Sequence, residues 1–334
     1  MKYLNLTPGF NPKGASEEDI ISWESFTFKG GEPHYKIGYD HDLLTRELDI
    51  AGMFNVIITS RVESSEELIR VLLAKDALER TYPVDDIYLY IPYFPGARQD
   101  RDNGLGEPLT VKVFADLINN ACFEAVEIFD AHSDVTPALI DRIYAADNHS
   151  FVHEALLHYI ENHDFLVNEV IDEKDDAVNY NNTIRRGNLI IISPDSGSNK
   201  KINKLCADLL HYTETENALP PNLQIVKCDK ERDVATGKLS GFTVYADDLE
   251  GKTCFIVDDI CDGGGTFLGL AKKLKEKNAG DLVLIVSHGI FSNGLLELDK
   301  VFDEVYTTDS FSLDKHRNEM DALGKLNIIL LKDA

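Results

Sequence analysis

Short apolar runs recur along this chain, separated by stretches whose apolar residues fall at helical spacing. The runs predict strands at Val56–Thr59, Ile87–Ile91, Ala125–Phe129, Leu189–Ser193, Cys254–Val257, Leu282–Ser287, Glu304–Thr307 and Asn327–Leu331. Between the first two, Glu66–Arg80 places Leu68, Ile69, Leu72, Leu73 and Ala77 on one helical face. Ser64 and Glu67 supply a capping box at its start. Leu109–Ala121 and Thr266–Lys277 also read as crossover helices. Parallel neighbours need such crossovers, so the alternation predicts an α/β fold with largely parallel sheets.

The alternation lapses at Ala145–Ser150, which predicts a boundary there and two domains, 1–148 and 149–334. A chain of 334 residues is long enough for two cores of ordinary size. Residues 168–188 are polar, with the acidic run Asp172–Asp176 followed by Asn179–Asn182, and predict a surface insertion.

Charge narrows the range of functions. With 58 acidic against 33 basic residues the net charge is −25, which argues against nucleic-acid and anionic-membrane partners. The 5 cysteines form no CxxC pair, so reduced thiols in a cytoplasmic protein are the simplest reading. Met1–Phe10 has no signal-peptide pattern, and no apolar stretch reaches membrane-spanning length.

Chemistry concentrates where predicted strands end. The run Cys254–Val257 leads into Asp258-Asp259-Ile260-Cys261-Asp262-Gly263-Gly264-Gly265-Thr266, then into a helix. Glycines there let the backbone approach an anion, and the helix N-terminus adds N–H donors and positive dipole. The paired acids suit ribose hydroxyls or a metal, so the segment predicts a phosphorylated-sugar site. A second strand runs into Ile91–Arg101, a Pro/Gly-punctuated loop carrying Arg98, Gln99 and Arg101. Guanidinium groups there suit a triphosphate or a purine face. His132 follows a third strand between Asp130 and Asp134, and Asp195 follows a fourth in Ser193–Ser198. Lys227–Asp233 is charged, has little apolar anchoring and reads as an exposed loop.

Taken in order, PYFPGARQDR, GEPLTVK, SPDSGS, DKERD, VDDICDGGGT and SHGIFS resemble the motifs of the ribose-phosphate diphosphokinase (PRPP synthetase) family, which has a type I phosphoribosyltransferase-like fold. The resemblance runs from about Phe28 to Phe311. It implies two phosphoribosyltransferase-like domains, each a mainly parallel sheet flanked by helices. The first would carry an ATP-binding loop, the second a ribose-phosphate loop and a catalytic loop. The implied reaction is Mg²⁺-dependent transfer of the diphosphoryl group of ATP to the 1-hydroxyl of ribose 5-phosphate, giving PRPP and AMP. Residue by residue, Phe28 would stack on adenine, with Glu32 near its amino group. Arg98, Gln99 and Arg101 would hold ATP. His132 would contact Mg²⁺ and the ATP phosphates, and Asp195 a second Mg²⁺ with the ribose. Asp258 and Asp259 would hold the ribose hydroxyls, and Asp262, Gly263, Gly264, Gly265 and Thr266 the 5-phosphate. Lys230 and Arg232 would act from a flexible catalytic loop as AMP departs. The resemblance also implies a homo-oligomer built from dimers, as far as a hexamer.

Departures from the family pattern gather at the two substrate ends. Gly263 stands where the family usually has threonine, Ser198 where it has a second glycine, and Gly30 where asparagine is expected near adenine. The insertion at 168–188 lengthens one connection. A bare Gly263 predicts room for a larger ribosyl acceptor, and ADP-ribose, with its free 1-hydroxyl and a diphosphate, is a natural one. A non-catalytic regulatory subunit of the same fold would be expected to lose the catalytic loop, whereas Lys230-Glu231-Arg232 is intact.

Overall fold

Each predicted apolar run becomes a strand, and pairing sorts the strands into two parallel sheets with a small hairpin beside the first. The structure is a computed structural model that describes residues 1–40, 53–102, 104–163, 188–216, 222–232, 239–320 and 324–332. The insertion expected at 168–188 lies outside the described residues except for Asn188, which opens a strand. Chain contacts divide the protein into two compact units, Met1–Asp147 and Asn148–Thr308, with Leu313–Ile329 joining the second. Asp309–Ser312 and Leu330–Asp333 return to the first.

In unit 1 the strands are β1 (Lys2–Asn5), β2 (Trp23–Thr27), β3 (Pro33–Ile37), β4 (Phe54–Thr59), β5 (Val84–Tyr90), β6 (Val126–Phe129) and β7 (Ile143–Ala146). The main sheet runs β1-β4-β5-β6-β7, parallel throughout, while β2 and β3 pair antiparallel as a separate hairpin. Val56, Ile58, Leu89 and Ile128 lie in one core, where alternate strand positions face it. Helix Ser65–Thr81 starts on the predicted capping box, with both reciprocal bonds made, worth about 1 kcal/mol. Its buried face is Leu68, Val71, Ala74 and Leu78; Ile69 and Leu73, expected on that face, are exposed. The line that meets the sheet is rotated toward Val71 and Ala74.

Unit 2 holds β8 (Asn188–Ser193), β9 (Asn222–Arg232), β10 (Leu239–Val244), β11 (Cys254–Cys261), β12 (Leu282–Gly289), β13 (Glu304–Thr308) and β14 (Leu326–Ile329). Their order is β10-β9-β8-β11-β12-β13-β14, parallel except for β9 with β10. All of β12 is buried, as expected of a central parallel strand covered on both faces. From β8 the chain steps outward to β9 and β10, then returns past β8 to β11 and onward. Strand order therefore reverses between β8 and β11. In open α/β sheets ligands bind in the crevice that such a reversal opens at the strands' carboxyl ends.

Two expected boundaries moved. β11 continues through Cys261 rather than stopping at Val257, since Asp258, Ile260 and Cys261 keep pairing with Val286, His288 and Gly289. Lys227–Arg232, expected as a loop, extends β9 and pairs with β10, Lys230 opposite Phe242. The missed signal was alternation: Val226 and Cys228 are buried on the face that Lys230 shares by period two. Among the described residues no helix is long and apolar enough to cross a membrane.

Candidate active site

In unit 1 the Pro/Gly-punctuated loop after β5 is anchored by buried residues. Phe94 and Ala97 are buried, and Gly96 takes φ +73° with Phe114 and Thr110 each 2.9 Å from where a Cβ would lie. Only glycine fits that approach. Gln99 donates its N–H to Gly96 O at 2.9 Å, and the side chains of Arg98, Gln99 and Arg101 stand exposed beyond this anchor. Asp100 ties the loop to the end of β6. Its carboxylate accepts from Arg101 Nε at 3.3 Å and from the Ser133 side chain, with His132 close enough to act on its charge. Burial alone would raise the Asp100 pKa; the Ser133 hydrogen bond, Arg101 and the His132 ring outweigh it and hold the group below its ordinary value. Arg101 and His132, predicted from separate motifs, thus meet at one carboxylate.

Phe28 and Glu32 lie on the β2–β3 hairpin, whose turn is closed by Phe28 N–H to Glu32 O at 2.8 Å. Phe28 is 49% exposed, and its ring packs edge-on against Phe26 at 4.7 Å between centroids. Such an open aromatic face suits a planar partner.

In unit 2 the reversal between β8 and β11 gathers three predicted acids and one predicted cation. Asp195 follows β8 in a turn in which its Oδ1 accepts the Ser198 N–H at 3.0 Å. Lys230, near the end of β9, donates to Asp195 Oδ2 at 2.6 Å. Asp258 and Asp259 are hydrogen-bonded to each other near the end of β11. Burial, then the negative charges of Asp259 and Asp195, hold the Asp258 pKa well above its ordinary value, with Lys230 only partly opposing them. Asp195 goes the other way. Its burial is outweighed by the bond and charge of Lys230 and by the Ser198 and Gly197 N–H groups. Such a set of hard oxygens, too crowded for all to ionise, matches the donor chemistry of a divalent cation. For Arg232 the structure gives the backbone position at the end of β9.

Beyond β11 the turn 262–264 enters helix Gly265–Glu276. Gly264 caps it at φ +75°, a left-handed conformation, with Leu298 3.2 Å from its Cβ position. The first N–H groups of the helix have no intrahelical partner and remain for an anion. Gly263 was expected to leave open space, and here the structure differs. A Cβ there would lie 2.7 Å from Asn293 Nδ2, which donates to Gly263 O at 3.0 Å. The vacated position is filled by a neighbouring carboxamide.

Sequence reasoning passed over Lys201 and Asn293. Lys201 sits in the first turn of helix Asn199–Glu216, with its Nζ 3.8 Å from Asp259 Oδ2. A basic residue one helical turn beyond the Asp195 loop was the available signal. Asn293 directly follows the SHGIFS segment, but nothing in a linear reading joins it to residue 263.

Comparison with known proteins covers both units. Residues 27–122 match the N-terminal domain of ribose phosphate pyrophosphokinase, and residues 167–309 the phosphoribosyl transferase domain. A ribose-phosphate pyrophosphokinase of Vibrio parahaemolyticus is 30% identical over 281 residues, 83% of this chain and 76% of that protein. One from Mycoplasma genitalium is 30% identical over 229 residues, covering 69% of this chain and 58% of that protein's length. In three dimensions, phosphoribosylpyrophosphate synthetase from Mycobacterium smegmatis superposes with a TM-score of 0.70 at 20% identity, covering 99% of this chain and 94% of that one. That likeness establishes the fold, mixed α/β with two phosphoribosyltransferase-type domains.

Proposed function

Because this chain belongs to the ribose-phosphate pyrophosphokinase family, we propose that it transfers the diphosphoryl group of ATP to the 1-hydroxyl of ribose 5-phosphate, giving PRPP and AMP. The observation that carries the reading is the juxtaposition of Lys230, Asp195, Asp258 and Asp259 at the strand-order reversal, directly ahead of the glycine turn.

Attack of a sugar hydroxyl on the β-phosphorus needs alignment and charge neutralisation, with no protein nucleophile. Phe28 stacks on the adenine and Glu32 accepts from its amino group. Arg98, Gln99 and Arg101 hold the nucleotide phosphates. Asp258 and Asp259 accept from the ribose hydroxyls and so orient the sugar. Backbone N–H groups of the turn Asp262–Thr266 bind the 5-phosphate. Lys230 and Arg232 supply positive charge as the α,β-bridging oxygen leaves with AMP. Mg²⁺ fits the oxygen-rich cluster, where Asp195 would hold one ion with the ribose; His132 would contact another with the ATP phosphates, and the ions would supply charge neutralisation of the phosphate oxygens. The active form proposed is a cytoplasmic homo-oligomer built from dimers.

A second acceptor follows from Gly263. The 263 position carries no side chain of its own, and the exposed Asn293 amide lies beside it, donating to Gly263 O at 3.0 Å. A diphosphate in place of the single phosphate, as in ADP-ribose, would meet that amide at the same turn.

One experiment separates these readings. Purified protein is incubated with ATP and Mg²⁺ plus either ribose 5-phosphate or ADP-ribose, and AMP and product mass are measured. AMP with ribose 5-phosphate supports the main reading. AMP with ADP-ribose only transfers it to the second. AMP with neither makes the chain a non-catalytic member of the fold.

A further inference from the structure

We propose that Asn293 is an acceptor-specificity residue, donating its free amide N–H to the acceptor's phosphate and setting the width of the cradle through its contact with Gly263. The inference rests on the reading of Asp262–Thr266 as the phosphate turn.

The loop that carries Asn293 is fixed from both sides. Ile290 and Phe291 donate their N–H groups to Cys261 O at 2.9 and 3.1 Å, and Ser292 donates to Asp262 O at 3.1 Å. These three bonds lace the end of β12 to the turn after β11. Phe291 is fully buried, at φ +48°, and Gly294, at φ +82°, closes the turn with its N–H on Phe291 O at 2.8 Å. Leu295 N–H is held by Glu319 Oε2 at 2.7 Å. An exposed side chain on so constrained a backbone has a defined aim.

The carboxamide has two N–H donors and one acceptor. One N–H is used on Gly263 O; among the described residues the other N–H and Oδ1 meet no partner. Both lie beside a turn whose other donors are backbone N–H groups. A side chain at 263 would collide with this amide, its Cβ 2.7 Å from Nδ2 and 3.5 Å from Cγ. Residues 263 and 293 therefore compete for one volume, and the protein resolves the competition with glycine and asparagine. What the acceptor meets is a neutral amide on the neighbouring strand's loop.

The test uses the full chain and steady-state kinetics with each acceptor. Asn293→Ala is expected to raise the acceptor KM about tenfold, the value of one hydrogen bond to a charged group, with ATP KM unchanged. Asn293→Asp, isosteric but anionic, is expected to raise it further, about a hundredfold. Gly263→Thr alone is expected to weaken acceptor binding, and Gly263→Thr with Asn293→Ala to recover most of that loss, since the collision is gone. Unmoved acceptor KM in Asn293→Ala and Asn293→Asp overturns the inference, as does additivity of the pair. Titration calorimetry with ribose 5-phosphate or ADP-ribose alone separates this from failure of the transfer reading. Wild type that binds an acceptor without releasing AMP still shows the Asn293→Asp loss if the inference holds. Wild type that binds neither overturns both.

Discussion

Replacing Lys230 with methionine should slow turnover and tighten metal binding, two effects of opposite sign from one ion pair. Lys230 Nζ pairs with Asp195 Oδ2 at 2.6 Å, on the carboxylate proposed for the cation. Metal binding must therefore displace the ammonium. Charge-assisted bonds contribute about 1.5–3 kcal/mol. The two side chains are 23% and 26% exposed, so the lower end applies, about 1.4 kcal/mol or tenfold in affinity. Mn²⁺ titrated without nucleotide and followed by electron paramagnetic resonance should bind Lys230→Met about tenfold more tightly than wild type. Lys201→Met provides the control. It removes the same charge from the same cluster, but its contact with Asp259 is 3.8 Å. A general field effect would make the two variants equal; displacement makes Lys230→Met clearly the tighter. Meanwhile kcat of Lys230→Met should fall about a hundredfold or more, as when a preorganised transition-state donor is removed. Unchanged or weaker Mn²⁺ binding in Lys230→Met refutes the exchange.

Phe28→Ala should raise the KM for ATP by about five- to a hundredfold, the range for base stacking on an aromatic ring, while leaving the melting midpoint unchanged because the ring is half exposed. Gly264→Ala should destabilise unit 2 by about 1–2 kcal/mol, since it forces an alanine into the left-handed region against Leu298; urea denaturation checks it. Cys206, Cys228, Cys254 and Cys261 are buried thiols pushed up to about 12, whereas Cys122 is exposed. A raised pKa leaves little thiolate at pH 8, so Ellman's reagent should label only Cys122 in native protein, and Cys122→Ser should abolish that signal.

The strands that place the site were legible because parallel strands buried on both faces are written as unbroken apolar runs, as at Leu282–Ser287. Asp195, Asp258 and Asp259 could be found because each directly follows or ends such a run. β9 was misread since fewer than half of its positions are apolar and Lys230 occupies the buried face near its end, a choice made by the ligand site rather than by strand propensity. The short β1 and the β2–β3 hairpin carry too few consecutive apolar residues to stand out. Asn293 could not be read at all: its meaning depends on a glycine 30 positions earlier and on the hydrogen bonds that bring β11 and β12 together.

Asp309–Ser312, the segment that leaves unit 2 and joins unit 1, has a consequence for biosynthesis. Arg61 donates Nε to Asp309 O at 2.6 Å and Nη2 to its carboxylate at 3.2 Å, and stacks over Phe10 at 4.3 Å. Leu331 N–H binds the other Asp309 oxygen at 2.8 Å. On a ribosome the first unit emerges early, yet Arg61 lacks its counterion until a residue 248 positions further along has been made. Vectorial folding, in which the leading domain is finished before the next begins, therefore leaves this one contact of unit 1 unmade. The Arg61 side of unit 1 is locked only once Asp309 and Leu331 are in place.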